Sequence, residues 1–219
     1  MGQRVQEAYQ ETIRYIVLAL KAVIFWRRPP PVETVDQLVR FVETRSKYVS
    51  QITLYGYIRT RVGTRYASMM EDAVFAGSVN MAKWEIYLAC LCDLAVYVTA
   101  LLGRDADADE DEMGAFVIHL VEAALASEPV PAERPQGFDD VRIAIRDRAG
   151  VTAWDKAAER EAAFDASLAA LVEWAPVADE LKILDVEIVR FSIRFKWKSV
   201  RDQIGGLLDV DAVLADWRD

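Results

Sequence analysis

The sequence predicts an all-α protein, a bundle of six to nine helices around one long central helix, and three observations carry that prediction. Apolar residues recur at steps of three and four along nearly the whole chain, the period of a helix face rather than of a strand. No proline occurs between Val32 and Glu128, which leaves room for long uninterrupted helices. The 219 residues are 53% apolar and 28% charged, which is enough to fill a core and outside the range of disordered chains. With two cysteines in the whole chain, a disulfide scaffold is excluded as well.

The first expected helix covers residues 3–26 and stops at Arg27, Arg28 and the prolines 29–31. Thr34 is placed to cap a second helix that runs to about Val62, with a weak point at Gly56 and an end at Gly63. Met70, Val74, Gly77, Met81, Trp84, Leu88, Leu91, Ala95, Val98 and Leu102 trace one stripe along the central helix. Ser68 and Glu71 have the spacing of a capping box at its start, and Gly103 is placed to end it, so it should span Ser68 to Leu102. A shorter amphipathic helix over residues 109–126 turns Met113, Phe116, Val117, Leu120, Val121 and Leu125 inward.

A loop holding Pro129, Pro131, Pro135 and Gly137 follows, and residues 127–138 are the one place where an otherwise single domain over residues 1–219 could divide. Helices are then expected over residues 139–149, 153–174, 176–204 and 210–217, with Pro176 in a first turn. Residues 189–198 alternate apolar and polar, which is the period of a half-buried strand. Yet Leu181, Leu184, Ile188, Phe191 and Phe195 carry the helical period straight through that stretch, and no partner strand offers itself, so a helix is expected there.

Cys90 and Cys92 sit two apart on the expected central helix and point to different sides, so they neither bridge nor share a metal. They read as small buried hydrophobes of a reducing compartment. The first twelve residues are polar, without a secretory signal, and Gln6 stands where a myristoylation motif asks for Ser or Thr. A cytoplasmic protein is therefore expected.

Two apolar runs raise the question of a membrane. Residues 15–26 extend only about 18 Å as a helix, against a hydrocarbon core of about 30 Å. Residues 86–102 are longer but carry Asp93, at a cost on the order of 3 kcal/mol in lipid, and read as a helix buried within protein. The N-terminal run fits the surface of a membrane better than its interior. Ile24, Phe25 and Trp26 would supply apolar contact there, and Arg27 and Arg28 attraction to anionic headgroups of the inner face.

Charge is unevenly distributed. Residues 1–66 carry a net +6, residues 67–187 a net −16 and residues 188–219 a net +1. Such polarity suits a molecule that presents different faces to different partners. A basic stripe of Arg190, Arg194, Lys198 and Arg201 exists, but the overall charge of −9 argues against nucleic acid.

Most catalytic chemistry lacks its residues. His119 is the single histidine, so neither a two-fold Glu-x-x-His di-iron site nor a Cys/His zinc site can be assembled. Asp105, Asp107 and Asp109 open like a calcium loop, but Glu110 replaces the turn glycine and Phe116 the ligating Glu, so helix capping explains the acids. There is no nucleophile elbow, P-loop or dinucleotide fingerprint. Neither metal nor cofactor is expected.

Two features remain. Asp93 lies amid Cys90, Leu91, Leu94, Val96 and Tyr97, where a carboxylate must find a partner or stay protonated. It would be a polar pin between helices or a ligand-handling group. Tyr55, Tyr57, Arg59, Arg61 and Arg65 gather around the turn at Gly63; guanidinium forks beside flat tyrosines suit an anion or a partner surface, and the alternative is that the arginines pair with the acidic middle of the same chain.

Residues 34–102, with the Leu54-Tyr55-Gly56-Tyr57 and Met70-Glu71-Asp72 segments, resemble a family of helical bacterial proteins of about this length, some of them labelled esterase. The resemblance implies the same all-α fold and brings no catalytic residues with it. The leading expectation is a non-enzymatic interaction or scaffold protein, with a protein partner or a second copy of itself, peripheral to the inner membrane. The alternative is an esterase-like enzyme or a carrier for a hydrophobic anionic molecule of lipid or isoprenoid type, held by Arg59, Arg61 or Arg65. A closed pocket beside Asp93 would favour the alternative.

Overall fold

In the computed structural model, the described residues are 30–105, 108–159 and 162–219. The expected first helix, with Ile24, Phe25, Trp26, Arg27 and Arg28, lies outside them. Residues Val32–Asp219 form one compact unit.

Helix α1 (Val35–Val62) runs unbroken through Gly56. Its start is built as the sequence suggests: the Thr34 hydroxyl accepts the Gln37 amide at 3.2 Å, and the Gln37 side chain accepts the Glu33 amide at 2.8 Å. The Asp216 carboxylate takes the Val35 amide at 2.8 Å. Thr34→Ala should therefore cost about 1 kcal/mol in a urea melt. An unchanged melt would mean that Asp216 alone satisfies that helix end. At the other end Gly63 adopts φ +60°, a left-handed conformation that suits glycine.

After a 3₁₀ turn and the short α2 (Tyr66–Met70) comes the central helix, α3 (Ala73–Asp105). It begins later than expected. Ser68 belongs to α2 and donates back to Arg65 O, while Asp72 caps α3 by accepting the Phe75 amide at 2.8 Å. The first part of the expected stripe is correspondingly outside the core, with Val74 and Gly77 exposed. Gly103 does not end the helix. It lies in the last turns because a Cβ there would collide with Met113 Sδ, so a glycine lets the next helix approach. From Ile86 to Leu102 nearly every side chain is buried, whichever way it points. By length and composition this helix could cross a membrane, but most of its apolar window is buried inside the fold.

Helix α4 (Glu110–Ala126) is capped by Asp109, and its six expected inner residues are all buried. The proline-containing loop lies within the compact unit, held by the buried Arg134. Helix α5 (Asp139–Val151) follows. The single helix expected over residues 153–174 is instead broken into α6 (Trp154–Ala157), a 3₁₀ turn and α7 (Asp165–Trp174). The break sinks Ala157, Ala158, Ala163 and Phe164 into the core, and that burial outweighs the helix propensity of an alanine-rich segment.

Helix α8 (Asp179–Gly205) starts three residues after Pro176, which is thus not in its first turn. It is helical throughout residues 189–198. Helix α9 (Val210–Arg218) closes the chain, and Val32 pairs with residues 207–209 through two backbone hydrogen bonds of 2.8 and 2.9 Å. Among the described residues this isolated bridge is the only β pairing, and the architecture is an all-α bundle. Helix α3 packs on α1, α4, α6 and α7, whereas α8 sits at the edge, chiefly against α1 and α7.

Candidate functional site

Helix α8 carries apolar residues on two opposite sides. One side, Val189, Ile193, Trp197, Val200 and Ile204, faces the bundle and is buried. The other side holds Leu184, Ile188, Phe191 and Phe195, which are 74%, 66%, 74% and 68% exposed. Leu181 extends that stripe, and Ile183 beside it is exposed as well. The helical repeat noted in the sequence is thus the outward face. Two stripes offset by about half a turn also explain the strand-like alternation of residues 189–198. Exposed apolar side chains gathered in one contiguous stripe, unlike scattered ones, mark a surface meant to be covered.

What fixes this orientation is a polar pin on the buried side. Asp185 is buried, and its Oδ2 accepts the Tyr57 hydroxyl at 2.9 Å and Arg61 Nε–H at 2.5 Å, both from α1. Arg61 Nη2 also forms an ion pair with Asp185 Oδ1. Tyr57 and Arg61 are one turn apart and share a face of α1. Tyr55 and Arg59, each two residues from them, fall on the opposite side.

The expected anion cluster is therefore divided. Tyr57 and Arg61 hold α8. Tyr55 and Arg59, with Tyr48 and Ile52, line an open groove of about 360 Å³, where the Arg59 guanidinium lies 5.3 Å from the Tyr66 ring centre. Burial pushes the Tyr55 phenol above its ordinary range, so it stays neutral. Arg65 sits in the turn beyond α1, away from both groups.

Asp93 is fully buried and joins four elements. Its Oδ1 accepts Arg148 Nη1–H of α5 at 2.7 Å, and its Oδ2 accepts the Ser167 amide of α7 at 2.7 Å. The Ser167 hydroxyl in turn accepts the Trp197 indole N–H of α8 at 3.0 Å, and Arg148 Nη2 donates to Ala163 O at 2.8 Å. Burial pushes the Asp93 carboxyl up to about 6, against the opposing pull of Arg148 and the Ser167 amide.

Beside this network an open cleft of about 320 Å³ is lined by Glu85, Leu88, Cys92, Arg134, Arg148 and Trp174, among others. Its two guanidinium groups are already committed. Arg134 donates to Glu85 at 2.9 Å and to Asp140, and Arg148 donates to Asp93. The Cys92 thiol is pushed up to about 12 by burial and stays protonated, which makes it a poor nucleophile. His119 does not line the cleft; it stacks on Trp217 at 5.1 Å.

Three carboxylates of the acidic segment are engaged by neighbouring groups of the chain. Asp109 caps α4, Asp105 pairs with Arg104, and Glu112 takes both Nε–H and Nη2–H of Arg218 at 2.7 and 2.8 Å. Among the described residues no group of three carboxylate, cysteine or histidine side chains is placed to hold a metal ion.

Sequence reasoning picked out Asp93, Tyr57 and Arg61 but not their partners, and it did not mark the α8 stripe as a surface. The available signal was Asp185 itself. A carboxylate on one side of a helix with apolar stripes on two sides must turn toward whichever side supplies a cation. No protein-family model matches the chain, and no curated protein or solved structure is similar to it.

Proposed function

We propose that this chain is a non-enzymatic helical interaction protein that docks a protein partner through the outward face of α8. The observation that carries this reading is the unbroken exposed stripe of Leu184, Ile188, Phe191 and Phe195 on an edge helix whose opposite side is anchored by Asp185. Burying a side chain of this kind contributes about 1.5–3 kcal/mol. A fold that left four of them in water without use would carry an aggregation liability.

A carrier of a hydrophobic anionic molecule is the second reading, and the cleft beside Arg148 is the observation behind it. It has less support. The cleft is open rather than closed, and its two arginines are neutralised by Glu85, Asp140 and Asp93.

The test is the double variant Phe191→Glu/Phe195→Glu. Because the stripe takes no part in the core, thermal and urea unfolding should shift by no more than about 0.5 kcal/mol. Fluorescence of a hydrophobic dye bound to the dilute protein should fall sharply. A large loss of stability would mean that this chain covers the stripe itself, and the reading would fail. Flotation of the wild type with anionic vesicles, abolished by the double variant, would make the face a membrane contact instead.

A further inference from the structure

We propose that the outward face of α8 is covered by the same face of a second copy of this chain, the two helices lying antiparallel about a two-fold axis between Val189 and Arg190. This deepens the docking reading above and rests on it. Three observations select a second copy from among the apolar partners that could cover the stripe.

The first is spacing. Leu181, Leu184, Ile188, Phe191 and Phe195 follow one another at steps of three, four, three and four. That average of 3.5 is the repeat of a coiled-coil seam, which calls for another helix rather than a flat surface. At 27 residues α8 is about 40 Å long, ample for such a pairing.

The second is charge. Apart from Asp185, which is buried against α1, residues 179–187 of α8 hold three carboxylates and one lysine, whereas residues 190–202 hold five basic side chains and one carboxylate. A parallel pair would set like charge on like along its whole length. An antiparallel pair sets the acidic half of each helix on the basic half of the other, so the helix is complementary to its own reverse. Glu187 at present pairs with Arg190 at 2.9 Å within the helix, an exposed contact weak enough to be shared or exchanged.

The third is shape and area. In the antiparallel register Ile188 lies against Phe191 of the second copy and Leu184 against Phe195 of the second copy, so the four central layers each set one aliphatic side chain against one ring, while Leu181 meets the stem of Lys198 at either end. A parallel pair would face ring on ring and leave gaps at the aliphatic layers. The stripe offers on the order of 500 Å² of apolar surface per copy, hence on the order of 1,000 Å² for the pair, the lower bound of a specific interface. A reversible dimer at micromolar concentration is the expected strength.

Sedimentation equilibrium on the full chain should show a monomer–dimer equilibrium, weakened at least about a hundredfold by Phe191→Glu/Phe195→Glu. Glu187→Lys should weaken it about tenfold at low salt, with little effect at high salt. Direction is read by disulfide trapping with Leu184→Cys and Phe195→Cys. Cys90 is buried and the Cys92 thiol is held protonated by burial, so both react slowly beside an exposed engineered thiol. The two variants mixed should cross-link rapidly, and each alone should not.

Fast cross-linking of Leu184→Cys alone would overturn the antiparallel arrangement. A monomer at all concentrations whose stripe still binds dye would overturn the second copy as occupant and leave the docking reading standing. A monomer that binds no dye, and that loses several kcal/mol on Phe191→Glu/Phe195→Glu, would overturn both.

Discussion

Replacing Asp93 with alanine is expected to lower the unfolding free energy by about 3 kcal/mol at pH 7. The carboxylate is fully buried and accepts the equally buried Ser167 amide in the first turn of α7, which loses that partner without gaining water. That orphaned N–H alone costs about 1–3 kcal/mol. The Arg148 side chain is 27% exposed and can turn toward solvent, which holds the total to the lower end of the range for a broken buried pair.

The loss should depend on pH in a defined direction. Burial raises the Asp93 carboxyl from 3.8 to about 6 in the folded protein. The stability linked to its protonation therefore adds to the pH 7 loss: it is fully present below about pH 4 and is gone once the pH has risen through about 6. Between pH 6 and pH 5 the wild type should gain about 1 kcal/mol over the alanine variant. Urea melts of both proteins at pH 7, 6 and 5 measure it. A gap that stays flat would show that Arg148 and the Ser167 amide outweigh burial. A gap under about 0.5 kcal/mol at every pH would remove the pin altogether.

The fold class and the central helix were legible because a helix buried all round has a composition that no exposed element shares. Residues 86–102 announce themselves, and so does the carboxylate among them. Arg148 was not legible as its partner, because the 55 residues between the two are brought together only by the packing of α5 on the bundle. The break between α6 and α7 was hidden for a related reason. Local propensity there favours helix, and only the demand of the core for Ala163 and Phe164 overrides it. At the start of α3 the capping-box spacing points to Ser68, but Ser68 turns back to Arg65 O within α2 and Asp72 makes the cap.

The α8 face shows the sharper limit. A helix period locates apolar stripes but does not say which one faces in. Helix α8 has two of them, and the choice is made by Arg61 and Tyr57, more than a hundred residues away. The same fact accounts for the anion cluster. Arginines and tyrosines in one segment suit an external anion or a carboxylate of the chain's own acidic middle, and Arg61 and Tyr57 take the second course with Asp185. Only Tyr55 and Arg59 remain on the outer side of α1, facing a groove.

That choice can itself be tested. Arg61→Ala is expected to cost about 3 kcal/mol, because the Asp185 carboxylate, 2% exposed, keeps only the Tyr57 hydroxyl. Asp185→Leu should cost about 1 kcal/mol, since it removes the buried charge and leaves a partly exposed guanidinium and phenol that can meet water. The double variant Arg61→Ala/Asp185→Leu should then be more stable than Arg61→Ala alone, with a coupling of about 2 kcal/mol in the cycle. An additive cycle would reduce the contact to an ordinary surface pair.

The double variant also separates stability from orientation. If the pin sets which side of α8 faces out, the double variant should stay folded, at a cost of about 2 kcal/mol, and yet bind hydrophobic dye differently from the wild type. In that case the two stripes have become interchangeable. If dye binding is unchanged, the shape of the Trp197 side chain, held by the Ser167 hydroxyl and stacked on Phe164 at 4.6 Å, is sufficient to fix the helix. The first outcome is expected. Val189 and Ile193 are close in volume to Leu184 and Ile188, so apolar packing in that half of the helix discriminates weakly between the faces. A buried charge, which tolerates no position but the one opposite its guanidinium, discriminates strongly.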